Sequence, residues 1–264
     1  MLIAFMSDFG SKDEYVGVCK LVINRINPLV SVVDISHEIY PFDILTGGWM
    51  LYNIISYMPP DSIILPIIDP GVGSERKSII VETEKRITFV GPDNGLIYPS
   101  AERLGITNVW EIIHDKTQHI SPTFHGRDIF APIAAKLSKG MSPLDLNAIP
   151  LKTPIKKIDI FGKQLKEDKL TGEVMYIDHF GTIRTNIPFS WLRTILTLKD
   201  SRLKVKAADR EFILKHYTTF SEAETGETFL LQDSFGWVSL ATNKGRADQE
   251  LKLCPHDTLI IEPF

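Results

Sequence analysis

SIILPIIDPGVGSER, residues 62–76, opens on an apolar run and breaks off at a carboxylate. Ile63 to Ile68 is predicted to be a buried strand, with Pro66 pulling it toward a sheet edge or a bulge because proline cannot donate to a ladder. Asp69 falls where the strand stops, Pro70 blocks further pairing, and Gly71 and Gly73 open backbone geometries that a Cβ disfavours. In open α/β sheets ligands bind outside the carboxyl ends of the strands, which makes Asp69 a candidate site residue. The same Asp-Pro-Gly is also ordinary turn chemistry, and the stretch alone does not choose between the two.

The chain before it repeats the theme. Leu2 to Met6 reads as a strand that breaks at Ser7-Asp8-Phe9-Gly10, a second strand ending in an acid. Val16, Cys19, Val22, Ile23 and Ile26 recur at helical spacing, so Tyr15 to Ile26 is predicted helical. Val30 to Ile35 follows as a buried strand, and Phe42 to Tyr57 as a helix closed by Met58-Pro59-Pro60. This βαβα alternation predicts a Rossmann-like α/β domain, a largely parallel sheet with helices on both faces and right-handed crossovers.

Beyond the loop, Ser78 to Glu82 and Ile87 to Val90 are predicted strands, the second running into Pro92-Asp93-Asn94-Gly95, a third acid at a strand end. FHGRDIFAP, residues 124–132, sets His125, Gly126, Arg127 and Asp128 before a predicted helix, Ile129 to Leu137. Asp128 is best read as a cap or first-turn acid. His125 sits beside a glycine instead of on an apolar face, and a helix N-terminus offers N–H groups to a ligand.

After about residue 150 the character changes. Pro150 to Lys169 is a connector rich in proline and lysine, and short strands broken by glycine and asparagine turns follow, the pattern of a small all-β barrel or sandwich. The predicted domains are 1–160, α/β, and 161–264, β-barrel. Two polar clusters interrupt the later strands: Asp178-His179-Phe180-Gly181 with Thr185-Asn186, and Ser234-Phe235-Gly236 with Asn243. Turns would explain either cluster; together they suggest a surface that completes a pocket elsewhere.

With 264 residues, 44% of them hydrophobic, the chain can bury a sizeable core, and a net charge of −4 gives no electrostatic reason to expect nucleic acid or an anionic membrane. No apolar run approaches the ~20 residues of a membrane span, and MLIAFMSDFG lacks a basic leader region, so a cytoplasmic protein is expected. Cys19 and Cys254 form no CxxC pair and read as reduced structural thiols. GxGxxG, Walker, GxSxG and HExxH signatures are absent. Asp8, Asp69 and Asp93 could converge on a metal or phosphoryl site, as in metal-dependent phosphohydrolases, and a non-catalytic nucleoside-binding protein is a further alternative. Residue chemistry by itself reaches a two-domain α/β protein with a polar small-molecule site.

Taken together, Asp8-Phe9-Gly10, Val33-Asp34-Ile35-Ser36-His37, Asp69-Pro70-Gly71-Val72-Gly73, Pro92-Asp93-Asn94-Gly95, Phe124-His125-Gly126-Arg127-Asp128, Asp178-His179-Phe180-Gly181 and Ser234-Phe235-Gly236 resemble the S-adenosylmethionine (SAM) hydroxide adenosyltransferases, relatives of the fluorinase and chlorinase enzymes. The resemblance spans nearly the whole chain. It implies hydrolysis of SAM to adenosine and L-methionine without a cofactor, in a homotrimer whose sites lie between one subunit's α/β domain and its neighbour's barrel. The family's Asp, Arg and His triad falls on Asp69, Arg76 and His125. Asp8 matches the acid that holds the ribose diol, and Asp178 and Ser234 match groups at the methionine end, with Phe235, Asn243 and Lys244 nearby in the same pocket. Thr182 departs from the family's usual asparagine near the adenine.

The implied reaction is in-line displacement at the ribose 5′ carbon by water or hydroxide, with Arg76 paired to Asp69 and keeping donors for the water, and His125 orienting or relaying its proton. A halide-using adenosyltransferase is the close alternative. The halogenating relatives usually carry tyrosine and threonine in the loop that here holds Asp69 and Val72, and an ionised carboxylate there repels halide.

Overall fold

The computed structural model describes residues 1–113, 120–166, 168–196, 202–207 and 209–264. They divide into two compact units, Met1–Asp159 and Ile160–Phe264. The first is built on seven strands, β1 (Leu2–Ser7), β2 (Ser31–Ser36), β3 (Ser62–Ile67), β4 (Ser78–Thr83), β5 (Thr88–Pro92), β6 (Ile106–Ile112) and β7 (Ala148–Pro150), in the order β2-β1-β3-β5-β4-β6-β7. The pairings β2–β1, β1–β3 and β3–β5 are parallel. The other half of the sheet is antiparallel, because β4 and β5 are joined by a hairpin too short for a crossover.

Side chains alternate across this sheet with period two. Ile3, Phe5, Ile63, Leu65 and Ile67 face one way, where helices α1 (Tyr15–Ile26) and α4 (Ala131–Leu137) bring Val16, Cys19, Ile23 and Ala134. Ala4, Met6, Ile64 and Ile68 face the other, under α2 (Ile44–Ile54) and α3 (Tyr98–Leu104). Asp43 starts α2 by accepting from the Thr46 N–H at 3.0 Å.

Two expectations for single strands change. β2 is an edge strand with no fully buried residue, not the buried strand its apolar run suggested, since among the described residues β1 is its only strand partner. Pro66 lies in a fully buried central strand. It is tolerated because β3 follows β1 as far as Ile67 but registers with β5 only at Ile63 and Ile64. Where the ladder has lapsed, β5 still passes close: a Cβ on Gly91 would sit 2.7 Å from the Pro66 carbonyl oxygen.

The second unit contains β8 (Lys163–Lys166), β9 (Lys169–Ile177), β10 (Ile183–Pro188), β11 (Arg202–Ala207), β12 (Arg210–His216), β13 (Thr228–Gln232), β14 (Trp237–Thr242) and β15 (Thr258–Pro263), with short helices α5 (Phe189–Ile195) and α6 (Ala247–Leu251). The order β10-β14-β13-β12-β11-β15-β9 closes on itself because β9 also pairs with β10, giving a seven-stranded barrel with β8 added outside β9. Closure removes the exposed edges an open sheet would leave. Alternating residues such as Leu203, Val205, Leu259 and Ile261 fill the interior. Among the described residues no helix is long and apolar enough to cross a membrane.

Candidate active site

Because β1 and β3 are parallel neighbours, with Ser7 opposite Ile67, their carboxyl ends deliver Asp8 and Asp69 side by side. Both line a cavity of about 380 Å³ with His125, Phe9, Phe42, Val72 and Phe124. Gly126 permits the close fit behind His125, since a Cβ there would meet Phe9, Phe124 and Ile67 at 3.2–3.4 Å. Gly73, at φ +77°, lets the Asp69 loop run against the Pro122 carbonyl, 2.5 Å from where a Cβ would stand.

Arg76 lies behind these groups and does not line the cavity. Its Nε donates to Asp69 Oδ1 at 3.0 Å and one terminal nitrogen donates to Asp69 Oδ2 at 2.5 Å. The same terminal nitrogen is 3.1 Å from His125 Nδ1. The other donates to the Lys77 carbonyl at 3.0 Å and to Ser78 Oγ at 2.9 Å. A guanidinium has five N–H donors, so all are engaged. The expectation that Arg76 keeps donors for a water is corrected by this count: Asp69, the Lys77 carbonyl, Ser78 and His125 together take every one.

Burial pushes the Asp69 carboxyl above its ordinary range, with the Arg76 charge and hydrogen bonds pulling the other way. Burial, and then the neighbouring Arg76 charge, hold the His125 ring below the ordinary histidine range, so it is neutral at pH 7. A guanidinium can only donate, hence Nδ1 is the acceptor and the ring proton is assigned to Nε2.

Asp8 is held differently. Its Oδ2 accepts from the backbone N–H of Phe42 at 2.8 Å, and Phe42 reaches that position with a left-handed φ of 69°. Burial raises the Asp8 carboxyl above its usual range, the Phe42 bond opposes this, and Asp69 adds a like charge. Phe9, Tyr15 and Phe124 pack beside it with ring centroids 5.3–6.0 Å apart, Phe124 standing edge to face with each of the other two. No sequence signal singled out Tyr15 or Phe42 as site residues, since an aromatic in a helix or loop is ordinary core material.

The other two acids are structural. Asp93 Oδ1 accepts from the Lys156 N–H at 2.8 Å, and neighbouring Asn94 donates to the Ile68 carbonyl at 2.8 Å, which ties the β5 exit to the end of β3. Asp93 is not among the residues lining the cavity with Asp8 and Asp69. Asp128 lies in a single π-helical turn, Gly126–Phe130, as its first-turn acid, where it accepts from Arg127 at 2.6 and 2.8 Å and from the Ser121 N–H at 2.8 Å. Among the described residues no cluster of three or more His, Cys, Asp or Glu is arranged to hold a metal ion.

The barrel has its own cavity, about 870 Å³, lined by Asp178, Phe180, Thr182, Asp233, Ser234 and Lys244 among others. Two loops of one design meet there, Asp178-His-Phe-Gly-Thr182 and Asp233-Ser-Phe-Gly-Trp237. In each, aspartate Oδ1 accepts from the N–H groups two and four residues on, at 2.8–2.9 Å, and the glycine has positive φ, 82° at Gly181 and 90° at Gly236. They differ in charge. Asp233 Oδ2 accepts from Arg184 at 3.0 Å, whereas Asp178 has no cation partner among the described residues. Phe235 and Asn243 are not brought to the lining: Phe235 lies against the Arg184 guanidinium, and Asn243 donates to the Ala223 carbonyl. Sequence reading missed Asp233, which the repeated D-x-F-G pattern could have exposed.

Residues 3–147 match the SAM hydroxide adenosyltransferase N-terminal domain, and residues 172–260 its C-terminal domain. A protein of Salinispora tropica named (R)-S-adenosyl-L-methionine hydrolase is 32% identical over 262 residues, covering 98% of this chain and 97% of that one. A fluorinase of an Actinoplanes species is 25% identical, covering 92% and 91%. The crystal structure of an uncharacterized conserved protein from Thermotoga maritima superimposes with a TM-score of 0.89 at 36% identity, over 98% of this chain and 99% of that one. With both domain families matched in order along one α/β unit and one closed barrel, the chain belongs to the SAM hydroxide adenosyltransferase family.

Proposed function

We propose that the protein hydrolyses SAM to adenosine and L-methionine by attack of water at the ribose 5′ carbon, and, following the name of the Salinispora relative, that it takes the R epimer at sulfur. The observation that carries this is the convergence of Asp8, Asp69 and His125 on one cavity, with Arg76 bound behind two of them. Asp8, one oxygen fixed by Phe42, accepts from the ribose hydroxyls. Asp69, whose oxygens accept from Arg76 and from the Gly71 backbone N–H, turns a remaining lone pair to the attacking water, whose proton it accepts. His125 donates from Nε2 to the water oxygen and orients it; with Nδ1 committed to Arg76, it has no basic nitrogen to offer. Arg76 is a positioning residue that holds both.

The leaving group departs as a neutral thioether, so no general acid is needed, and attack on a sulfonium disperses charge, which a water-poor site favours. No cofactor or metal enters the proposed step: the sulfonium activates the carbon, and both Asp69 oxygens already accept from Arg76. The carboxylate facing the cavity disfavours chloride or fluoride as nucleophile. In the barrel, Asp178 takes the methionine ammonium because its charge, unlike that of Asp233, is not neutralised by an arginine. Ser234 and Lys244 accompany it on the lining. The proposal includes a homotrimer in which a neighbour's barrel completes the α/β cavity, and a cytoplasmic location, which accords with two free cysteines. Incubating the purified protein with SAM and separating the products tests it: adenosine and methionine support the reading, and unchanged SAM contradicts it.

A further inference from the structure

The Val33-Asp34-Ile35-Ser36-His37 motif lies outside the chemistry described so far. At the end of β2, the His37 ring is almost fully buried and stands edge-on to Phe5 at 4.7 Å between centroids. Its Nε2 is 3.1 Å from Asp34 Oδ1, and its Nδ1 is 2.7 Å from the fully buried Ser7 Oγ. Burial pushes the Asp34 carboxyl up, but the hydrogen bonds and charges of Lys20 and His37 together outweigh it and hold the group below its ordinary range, so it is an ionised acceptor. The polarity follows: Nε2–H donates to Asp34, and Nδ1 accepts from the Ser7 hydroxyl, which itself accepts from the Phe9 N–H at 3.4 Å. The order Ser, His, Asp is that of a nucleophilic triad, but Ser7 has no exposed surface on which a substrate could land.

The bonds instead join two loops. Gly10, in a left-handed conformation, donates to the His37 carbonyl at 2.7 Å, and Phe42 donates to Asp8 at 2.8 Å. Together with the Ser7–His37 bond, these clamp the β1 exit to the β2 exit on both sides of Asp8. Resting on the function proposed above, we infer that Asp34 and His37 are positioning residues for substrate binding. They act through Ser7 to fix the loop that carries Asp8, so that its carboxylate meets the ribose already aimed.

The test is a double-mutant cycle on the full chain. Adenosine affinity is measured by calorimetry for wild type, His37→Ala, Asp8→Ala and the double variant, alongside kcat and KM for SAM. His37→Ala is expected to weaken adenosine binding about tenfold and to raise KM far more than it lowers kcat, with no further loss when Asp8 is already alanine. Additive losses in the double variant overturn the inference, because they mean that His37 does not act through Asp8. Should His37→Ala fail to fold, Ser7→Ala, which removes only the linking hydroxyl, carries the same cycle. Wild-type protein that neither binds adenosine nor consumes SAM contradicts the proposed function itself, whereas normal wild-type behaviour with an additive cycle overturns this inference alone.

Discussion

Arg76 grips both carboxylate oxygens of Asp69, at 3.0 and 2.5 Å, with the two side chains only 7% and 6% exposed. A buried pair of this kind fixes geometry more than it adds stability, because desolvation offsets much of the attraction. Asp69 is thereby held as a rigid acceptor at the cavity wall.

Replacing Asp69 with Asn keeps the shape and removes the charge and the proton acceptor. Asp69→Asn is expected to retain adenosine binding within a few-fold while kcat falls by ~10²- to 10⁴-fold. With the negative charge gone, 5′-chloro-5′-deoxyadenosine should also begin to form in chloride buffer. Chromatography of both products checks this, and near-normal hydrolysis by the variant would refute the role of Asp69.

His125 is assigned as a donor, and two substitutions separate that from a base. Gln carries an N–H where the ring has Nε2, but its amide cannot take a proton at neutral pH. His125→Gln is expected to keep at least about tenfold more activity than His125→Ala. Equal loss in both variants, with a wild-type acid limb that vanishes in them, would point to a base instead.

Asp8 ties ligand binding to stability through pH. Burial raises its folded-state carboxyl above the unfolded value, so ionisation opposes folding. That penalty is absent below the unfolded value and complete above the raised one. Asp8→Asn keeps an acceptor for the Phe42 N–H, so its Tm relative to wild type should rise as pH increases through this window, while adenosine binding weakens. A Tm difference that does not change with pH would contradict this.

Much of this was legible before any coordinates. The strand ends carrying Asp8 and Asp69, and helix α1 with its Tyr15–Ile26 bounds, follow from apolar periodicity and from the glycines and prolines that break it. Strand β6, ITNVWEI, was missed because its polar residues hide a strand paired on both sides by β4 and β7. The antiparallel half of the sheet was equally hidden, since pairing direction depends on partners distant in sequence. At the site, the strand end pointed to Asp69 and the helix start to His125, but Arg76, and the grouping of the three, came only through a family resemblance. That Arg76 has no donor left, and that His125 is thereby fixed in one tautomer, depends on the Lys77 carbonyl and Ser78 Oγ, which no motif marks.

The twin barrel loops should respond differently to one substitution. In Asp178→Asn the side-chain oxygen still accepts from the Phe180 and Thr182 N–H groups, so Tm should hold while KM for SAM rises about tenfold or more with the lost charge. Asp233→Asn strips Arg184 of its counter-ion and should cost ~3 kcal/mol of stability with a smaller change in KM. Calorimetric melts beside steady-state kinetics decide it, and the reverse pattern would move the ammonium site to Asp233.

The central claim is that water attacks the ribose 5′ carbon of SAM. The most direct measurement is turnover in ¹⁸O-labelled water followed by mass spectrometry of both products. One ¹⁸O in the 5′ hydroxyl of adenosine, with unlabelled methionine, is the expected result. Absence of adenosine, or formation of 5′-methylthioadenosine with labelled homoserine, would place the attack elsewhere and contradict the account.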